Sequence, residues 1–112
     1  MEINGVKLDF SMFNEDKADV RSRYYAELEK MRHIKENIPE GTPKEQNEFL
    51  CNAIKGLFDN VFGSGTGVRV CGEGNDLLLH MDAYDQLVSE QIRQQNKYKG
   101  IMNRMKNMKV KK

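Results

Sequence analysis

The side chains that could supply nucleophilic or metal chemistry are few in this chain. They are two cysteines and two histidines, Cys51, Cys71, His33 and His80. None of them lies in a C-x-x-C or H-E-x-x-H pattern, the short spacings that mark zinc sites. No nucleophile motif surrounds the histidines, so a catalytic triad is not indicated. We therefore predict a protein that is not an enzyme and that has neither a metal site nor a cofactor.

The glycine-rich run Phe62-Gly63-Ser64-Gly65-Thr66-Gly67 has the composition of a phosphate-binding loop. Such a loop needs a strand before it, a helix after it, and a Lys-Ser or Lys-Thr pair at its end. Here a helical pattern precedes the glycines, and no such pair follows. We interpret the run as a flexible connection between helices. Its mobile backbone would let Phe62, Val68 and Val70 open onto a partner, which makes them a candidate binding site.

Charge is divided unevenly along the chain. Residues 91–112 hold eight basic side chains and no acidic one, whereas the first ninety residues hold ten basic and seventeen acidic side chains. A basic tail on an acidic body can bind an acidic partner, nucleic acid or a second copy of the chain, so a homo-oligomer is one expectation. Because Tyr98 is the only aromatic residue of the tail, a base-stacking surface is not indicated.

The same tail carries apolar side chains at helical spacing among its lysines and arginines. Methionine is unbranched and adaptable, and it recurs on surfaces that accept irregular partners. A basic helix with such a face can bind an apolar groove or an acidic surface. The preferred partner-binding residues are therefore Ile101, Met102, Met105, Met108, Lys106 and Lys109.

The helix that precedes the glycine run is the element around which the chain is organised. Thr42 is a good N-cap, Pro43 suits the first helical position, and Glu45 can complete a capping box. Eight apolar residues then cover roughly 220° of the helix surface, which predicts burial on two sides. They are Phe49, Leu50, Ala53, Ile54, Leu57, Phe58, Val61 and Phe62.

Other elements are predicted on either side of this helix. The pair Asn4-Gly5 fits a type I′ hairpin turn, which must lie on the helices or pair with another chain. A first helix should begin near Asn14, a good N-cap. A last helix should begin near Asn75 or Asp76 and face the core with five apolar residues, whereas His33 and His80 should lie at the surface. The five are Leu77, Met81, Tyr84, Val88 and Ile92, and Leu78, Leu79 and Leu87 widen this face.

These patterns together predict a mainly α fold in one domain. Residues 1–98 should form a small N-terminal β-hairpin followed by a three- or four-helix bundle, and residues 99–112 a basic Met/Lys-rich tail that is helical or disordered. No apolar run approaches the length of a membrane span, and no secretory signal opens the chain. We expect a cytoplasmic protein with reduced cysteines and no membrane partner.

Four segments form a series that is similar to a known family. They are Ile3-Asn4-Gly5-Val6 with Phe10, then Ala18 with Tyr24, Ala26, Leu28 and Glu29, then Phe58-Asp59-Asn60-Val61-Phe62-Gly63-Ser64-Gly65-Thr66, and last Val70-Cys71-Gly72 before a long helix. The third segment is the most specific and matches an F-F-D-x-x-F-G-x-G-T pattern, with Leu57 in place of the first phenylalanine. Together they resemble the small tail assembly chaperones of siphophages and prophages, over most of residues 1–98.

The resemblance implies a non-catalytic protein of tail morphogenesis in the cytoplasm of a bacterial host. Its partners would be the long, helical tape measure protein and other tail proteins, and it would keep the tape measure protein soluble until the tail tube forms around it. The alternative that the residues leave open is a small nucleic-acid-binding protein that acts through its basic tail. The two differ in salt response, because binding through phosphate contacts falls steeply as salt rises.

Overall fold

The computed structural model describes the backbone of residues 1–110 and the side chains of residues 1–108. The protein is mainly α-helical, with a small N-terminal hairpin. The hairpin consists of β1 (Glu2–Ile3) and β2 (Val6–Lys7). The helices of the described chain are α1 (Ala18–Arg32), α2 (Ile34–Asn37), α3 (Pro43–Phe62), α4 (Thr66–Cys71) and α5 (Leu77–Val110), and a single 3-10 turn (Glu15–Lys17) precedes α1.

The hairpin turns at Asn4-Gly5, as the sequence predicts. Asn4 and Gly5 have φ values of 51° and 82°, both in the left-handed region that a type I′ turn requires. Ile3 is fully buried, and the side-chain amide of Asn4 donates to the carbonyl oxygen of Val70 at 2.7 Å. The hairpin therefore packs against the helices of its own chain.

The core is built around α3, which contacts α1, α4 and α5. The helix begins as predicted, because the backbone N–H of Glu45 donates to Oγ1 of Thr42 at 3.2 Å. Ile54, Leu57 and Phe58 are at most 1% exposed. The prediction of a helix covered on two sides is confirmed.

The first helix begins later than its cap residue suggests. The side chain of Asn14 accepts a hydrogen bond from the backbone N–H of Asp16, but it caps the 3-10 turn, and the α-helix starts only at Ala18. Tyr24 is the fully buried residue of α1, and its ring meets that of Phe10 edge to face at 4.9 Å. His33 lies at the exposed break between α1 and α2, as expected.

The glycine-rich run is not an open, flexible connection, which corrects the expectation drawn from its composition. Gly63 and Gly65 take φ values of 115° and 90°, and the chain then enters α4 at once. The hydroxyl of Thr66, which is fully buried, donates to the carbonyl oxygen of Gly63 at 2.7 Å. Asp59 accepts from the backbone N–H of Gly67 at 2.7 Å. The most specific sequence motif therefore builds a tight turn between α3 and α4.

The predicted core face of the last helix is only partly correct, since Leu77, Tyr84 and Val88 are half-buried. Met81 and Ile92 are exposed, whereas His80, Ala83 and Leu87 are fully buried. The expected surface position of His80 is therefore wrong. Its Nδ1 lies 2.6 Å from the carbonyl oxygen of Asp76, which satisfies one ring nitrogen inside the core.

The hairpin and the helices that pack together form what we call the body, and α5 continues beyond it as one helix to Val110. For residues 99–112 the sequence allowed either a helix or disorder. The described chain measures 65 × 29 × 22 Å and has a radius of gyration of 17.1 Å. A compact chain of this length would have a radius of gyration of about 13 Å. The difference reflects the part of α5 that projects from the bundle.

The buried thiol of Cys71 should make the stability of the fold sensitive to alkaline pH. Burial raises the pKa of the Cys71 thiol from 9.0 to about 11. Between these values the unfolded thiol loses its proton while the folded one keeps it, so the unfolded state is favoured as pH rises. We expect the free energy of unfolding to fall by roughly 2–3 kcal/mol from this thiol as the pH rises through that interval.

Urea unfolding followed by circular dichroism at pH 8 and pH 11 measures this loss. The matched variant is Cys71→Ala, whose stability should fall less over the same interval, since only the other titrating groups remain. Equal losses in both proteins would show that Cys71 is not the source.

Candidate protein-binding surface

The C-terminal part of α5 is a helix whose surface the rest of the described chain leaves uncovered. Every side chain from Asn96 to Met108 is exposed. We call residues 98–108 the projecting segment. At a rise of 1.5 Å per residue it is about 15 Å long, or three helical turns.

One row of side chains runs along α5 from the body into the projecting segment. We call it the α5 seam. Its members follow one another at alternating spacings of three and four residues, the pattern with which helices pack in coiled coils. They are Tyr84, Leu87, Gln91, Gln94, Tyr98, Ile101, Met105 and Met108.

Burial along the α5 seam decreases beyond the edge of the body. Its first four members are buried or half-buried. Beyond them, the exposed fraction is 44% at Tyr98, 37% at Ile101, 51% at Met105 and 69% at Met108. The apolar pattern thus continues past the point where the rest of the chain stops covering it.

Two glutamines hold the covered half of the α5 seam, Gln94 against residues 10–12 and Gln91 against α1. Gln94 donates from Nε2 to the carbonyl oxygen of Phe10 at 2.7 Å, and its Oε1 accepts from the backbone N–H of Met12 at 2.8 Å. The hydroxyl of Tyr24 donates to Oε1 of Gln91. These bonds satisfy polar groups at core-facing positions and fix the register of α5 on the body.

The part of the α5 seam that the rest of the chain covers ends at a stacked aromatic pair. The rings of Phe13 and Tyr98 are parallel within 1°, and their centroids are 4.4 Å apart. Beside the pair lies an open cleft of about 490 Å³ whose wall includes Phe10, Arg93 and Ile101. The cleft joins the body to the first turn of the projecting segment.

The flanks of the projecting segment are positively charged. Lys97, Lys99, Arg104 and Lys106 are exposed, and residues 95–108 include no acidic side chain. The nearest acidic group on α5 is Glu90, which forms an ion pair with Arg93 at 2.7 Å. The hydrogen bond from Arg93 lowers the pKa of the Glu90 carboxyl group, so that it stays ionised and paired. The apolar surface is therefore bordered by unopposed positive charge.

The sequence predicted two sets of binding residues, one in the C-terminal tail and one at the glycine-rich run, and the structure places them differently. Ile101, Met102, Met105, Met108 and Lys106 all lie in the projecting segment and are exposed. The side chain of Lys109 lies outside the described residues.

The set at the glycine-rich run does not form one exposed surface, which corrects the second candidate site. Val70 is 2% exposed and belongs to the core, because α4 packs it against the hairpin and α3. Phe62 is half-buried against Phe10, with ring centroids 5.8 Å apart. Only Val68 is exposed.

Sequence reasoning missed Phe13, Tyr98 and Gln94 as parts of this surface. The sequence signal that could have revealed them is the alternating three- and four-residue spacing that runs through Gln91 and Gln94. It is visible only if polar residues are allowed at core-facing positions of the helix.

Metal sites and membrane spans are both absent from the described part of the chain. No group of three or more His, Cys, Asp or Glu side chains there could hold a metal ion. None of the helices within residues 1–110 combines the length and the apolar character needed to cross a membrane.

Comparison with known families identifies the chain at the family level. The profile of a family described as "Family of unknown function (DUF6673)" matches residues 4–112. The chain belongs to this family. The DUF6673 match begins at the hairpin turn and spans the second strand, the bundle and the projecting segment. Neither the curated proteins nor the solved structures include a match to this DUF6673 chain.

Proposed function

We propose that the protein is a non-catalytic chaperone that captures an amphipathic helix on the projecting segment of α5. The observation that carries the proposal is the uncovered half of the α5 seam. A chaperone needs apolar surface that stays available while it is itself folded. Tyr98, Ile101, Met105 and Met108 offer such a surface on a helix that the body holds at its other end.

The client in this proposal is the tape measure protein of a phage or prophage tail, met in the cytoplasm of the bacterial host. The support for this client is the sequence resemblance described above, in which Phe58 to Thr66 form the most specific segment. The adaptable methionines of the projecting segment suit a long client whose many helical turns differ in detail. Other tail proteins and a second copy of the chain stay among the proposed partners, and self-association stays a prediction, since the structure contains one chain.

Nucleic-acid binding is the second candidate, and the exposed basic residues Lys99, Arg104 and Lys106 of the segment favour it. Two features weigh against it. One face of the segment is apolar rather than basic, and the ring of Tyr98 is already stacked on Phe13, which takes up a face that a base would use. A complex held by phosphate contacts would also lose affinity steeply with salt, whereas one held by apolar burial would not.

Removal of the chain after Gly100 tests the proposed function. The cut lies beyond Tyr98 because Gln94 and Tyr98 hold the N-terminal segment. We expect the truncated protein to melt near the temperature of the full chain. Its co-expression should leave the tape measure protein as insoluble as it is without any chaperone, because the apolar surface is gone.

The matched control is Leu78→Ala, which removes an exposed apolar side chain of α5 outside the seam. This variant should keep the tape measure protein soluble. If the truncated protein also keeps it soluble at full yield, the projecting segment is not the chaperone site. Binding of a labelled DNA strand that disappears as salt rises, with no effect on the tape measure protein, would support the nucleic-acid alternative instead.

A further inference from the structure

We infer that the helix bound by the projecting segment is acidic along its flanks and packs on the α5 seam in coiled-coil register. The inference rests on the proposed helix-capturing function and adds the chemistry and geometry of the captured helix. It follows from three features of the described chain, which are the spacing of the seam, the charges beside it and the length left uncovered.

The spacing of the uncovered seam residues selects a helix as the partner. Tyr98, Ile101, Met105 and Met108 repeat at three, four and three residues. Side chains at this average period of 3.5 face a second helix continuously when the two helices wind around each other. The covered half of the same row already follows this pattern against the body, so a partner helix would extend an existing surface.

The charges beside the seam select an acidic partner. Lys97 directly precedes Tyr98, and Arg104 directly precedes Met105. In a coiled coil, residues at these flanking positions meet the flanking residues of the partner and set its choice through ion pairs. Because residues 95–108 include no acidic side chain, a partner with Glu or Asp at its flanks is attracted and a basic one is repelled.

The same charges argue against the projecting segment of a second copy as the occupant. Two such segments side by side would bring together two helices whose described residues from 97 to 108 carry basic and no acidic side chains. Like charges at facing positions destabilise a helix pair. The occupant we propose is therefore a different chain, with an apolar stripe at least three helical turns long to match the uncovered segment.

The test uses two designed peptides of about 21 residues, or three heptads, each with leucine at both seam positions. One peptide has Glu and the other Lys at the flanking positions, and both carry the same fluorescent label. We expect the full-length protein to bind the Glu peptide about tenfold or more tightly than the Lys peptide, as read by fluorescence anisotropy at moderate salt. Equal affinities, or no binding of the Glu peptide, would overturn the inference.

Variants of the projecting segment locate the binding site. Met105→Glu should weaken binding of the Glu peptide about tenfold or more, because it places a charge in the seam. Asn103→Glu introduces the same charge on the opposite face of the helix and should weaken it by less than about threefold. The double variant Lys97→Glu with Arg104→Glu should reverse the preference toward the Lys peptide. If the affinity of the Glu peptide is the same for all three variants as for the native chain, the peptide binds elsewhere and the inference is wrong.

The peptide experiment tests the inference and the co-expression experiment tests the proposed function, so either claim can be rejected without the other. Binding of the Glu peptide with the expected variant pattern, but without rescue of the tape measure protein, would keep the inference and reject the proposed function. Rescue of the tape measure protein by a chain that ignores the Glu peptide would do the opposite.

Discussion

Replacing Phe58 by alanine is expected to lower the free energy of unfolding by about 3–5 kcal/mol. Phe58 is fully buried near the C-terminal end of α3, the helix that α1, α4 and α5 contact. Its ring packs against that of Phe62 with centroids 6.2 Å apart. Truncation removes the buried ring and leaves a cavity that the surrounding helices can fill only in part.

Urea unfolding followed by circular dichroism measures this loss. Since small domains are stable by about 5–15 kcal/mol, the variant should be partly unfolded well below the denaturant concentration that unfolds the native chain. The matched control is Leu78→Ala, at an apolar residue that is 82% exposed, where we expect a change within about 0.5 kcal/mol. Similar curves for both variants would mean that Phe58 is not a core residue.

Replacing Gly67 by alanine is expected to destabilise the protein by about 3 kcal/mol, at the upper end of what overpacking costs. A Cβ atom at position 67 would lie 2.5 Å from the carbonyl oxygen and 2.7 Å from the Cα of Lys55. Both atoms belong to the backbone of α3, so no side-chain rotation relieves the clash. The turn of α4 would have to move away from α3, which would also strain the hydrogen bond between Asp59 and the backbone N–H of Gly67.

The control for Gly67 is Gly56, which lies inside α3, where a Cβ atom would meet nothing within 4 Å. Gly56→Ala should stabilise the protein by roughly 0.5–1 kcal/mol, because alanine favours the helix and nothing opposes its methyl group. The same substitution should therefore have opposite signs at two glycines. If Gly67→Ala also stabilises the chain, the close approach of α4 to α3 does not exist in solution.

The stability variants also bear on the binding surface. Phe58 and Gly67 act on the body, whereas Met105 and Asn103 lie on the projecting segment. A variant of the segment that lowers the stability of the body would show that the two parts depend on each other more than the contacts at Gln94 and Tyr98 suggest. We expect segment variants to leave the unfolding curve unchanged, because their side chains are exposed.

Sequence by itself determined the features that depend on near neighbours in the chain. Asn4-Gly5 specifies its turn because both residues tolerate positive φ. Thr42, Pro43 and Glu45 specify the start of α3 because a cap is satisfied within one helical turn. The wide apolar face of α3 was enough to predict burial on two sides, since so much apolar surface on one helix must be covered.

The tertiary structure alone decided which face of α5 is buried and where its cover ends. Apolar periodicity favoured Met81 and Ile92, but the body accepts Gln91 and Gln94 instead, because Tyr24 and the backbone at Phe10 and Met12 satisfy their amides. His80 also enters the core, where its Nδ1 pairs with the carbonyl oxygen of Asp76 and its Nε2 has no hydrogen-bond partner among the described residues. The partners of the two glutamines come from distant parts of the chain, so local spacing cannot reveal them. The same contacts stop at Phe13 and Tyr98, and that end point leaves Ile101, Met105 and Met108 uncovered.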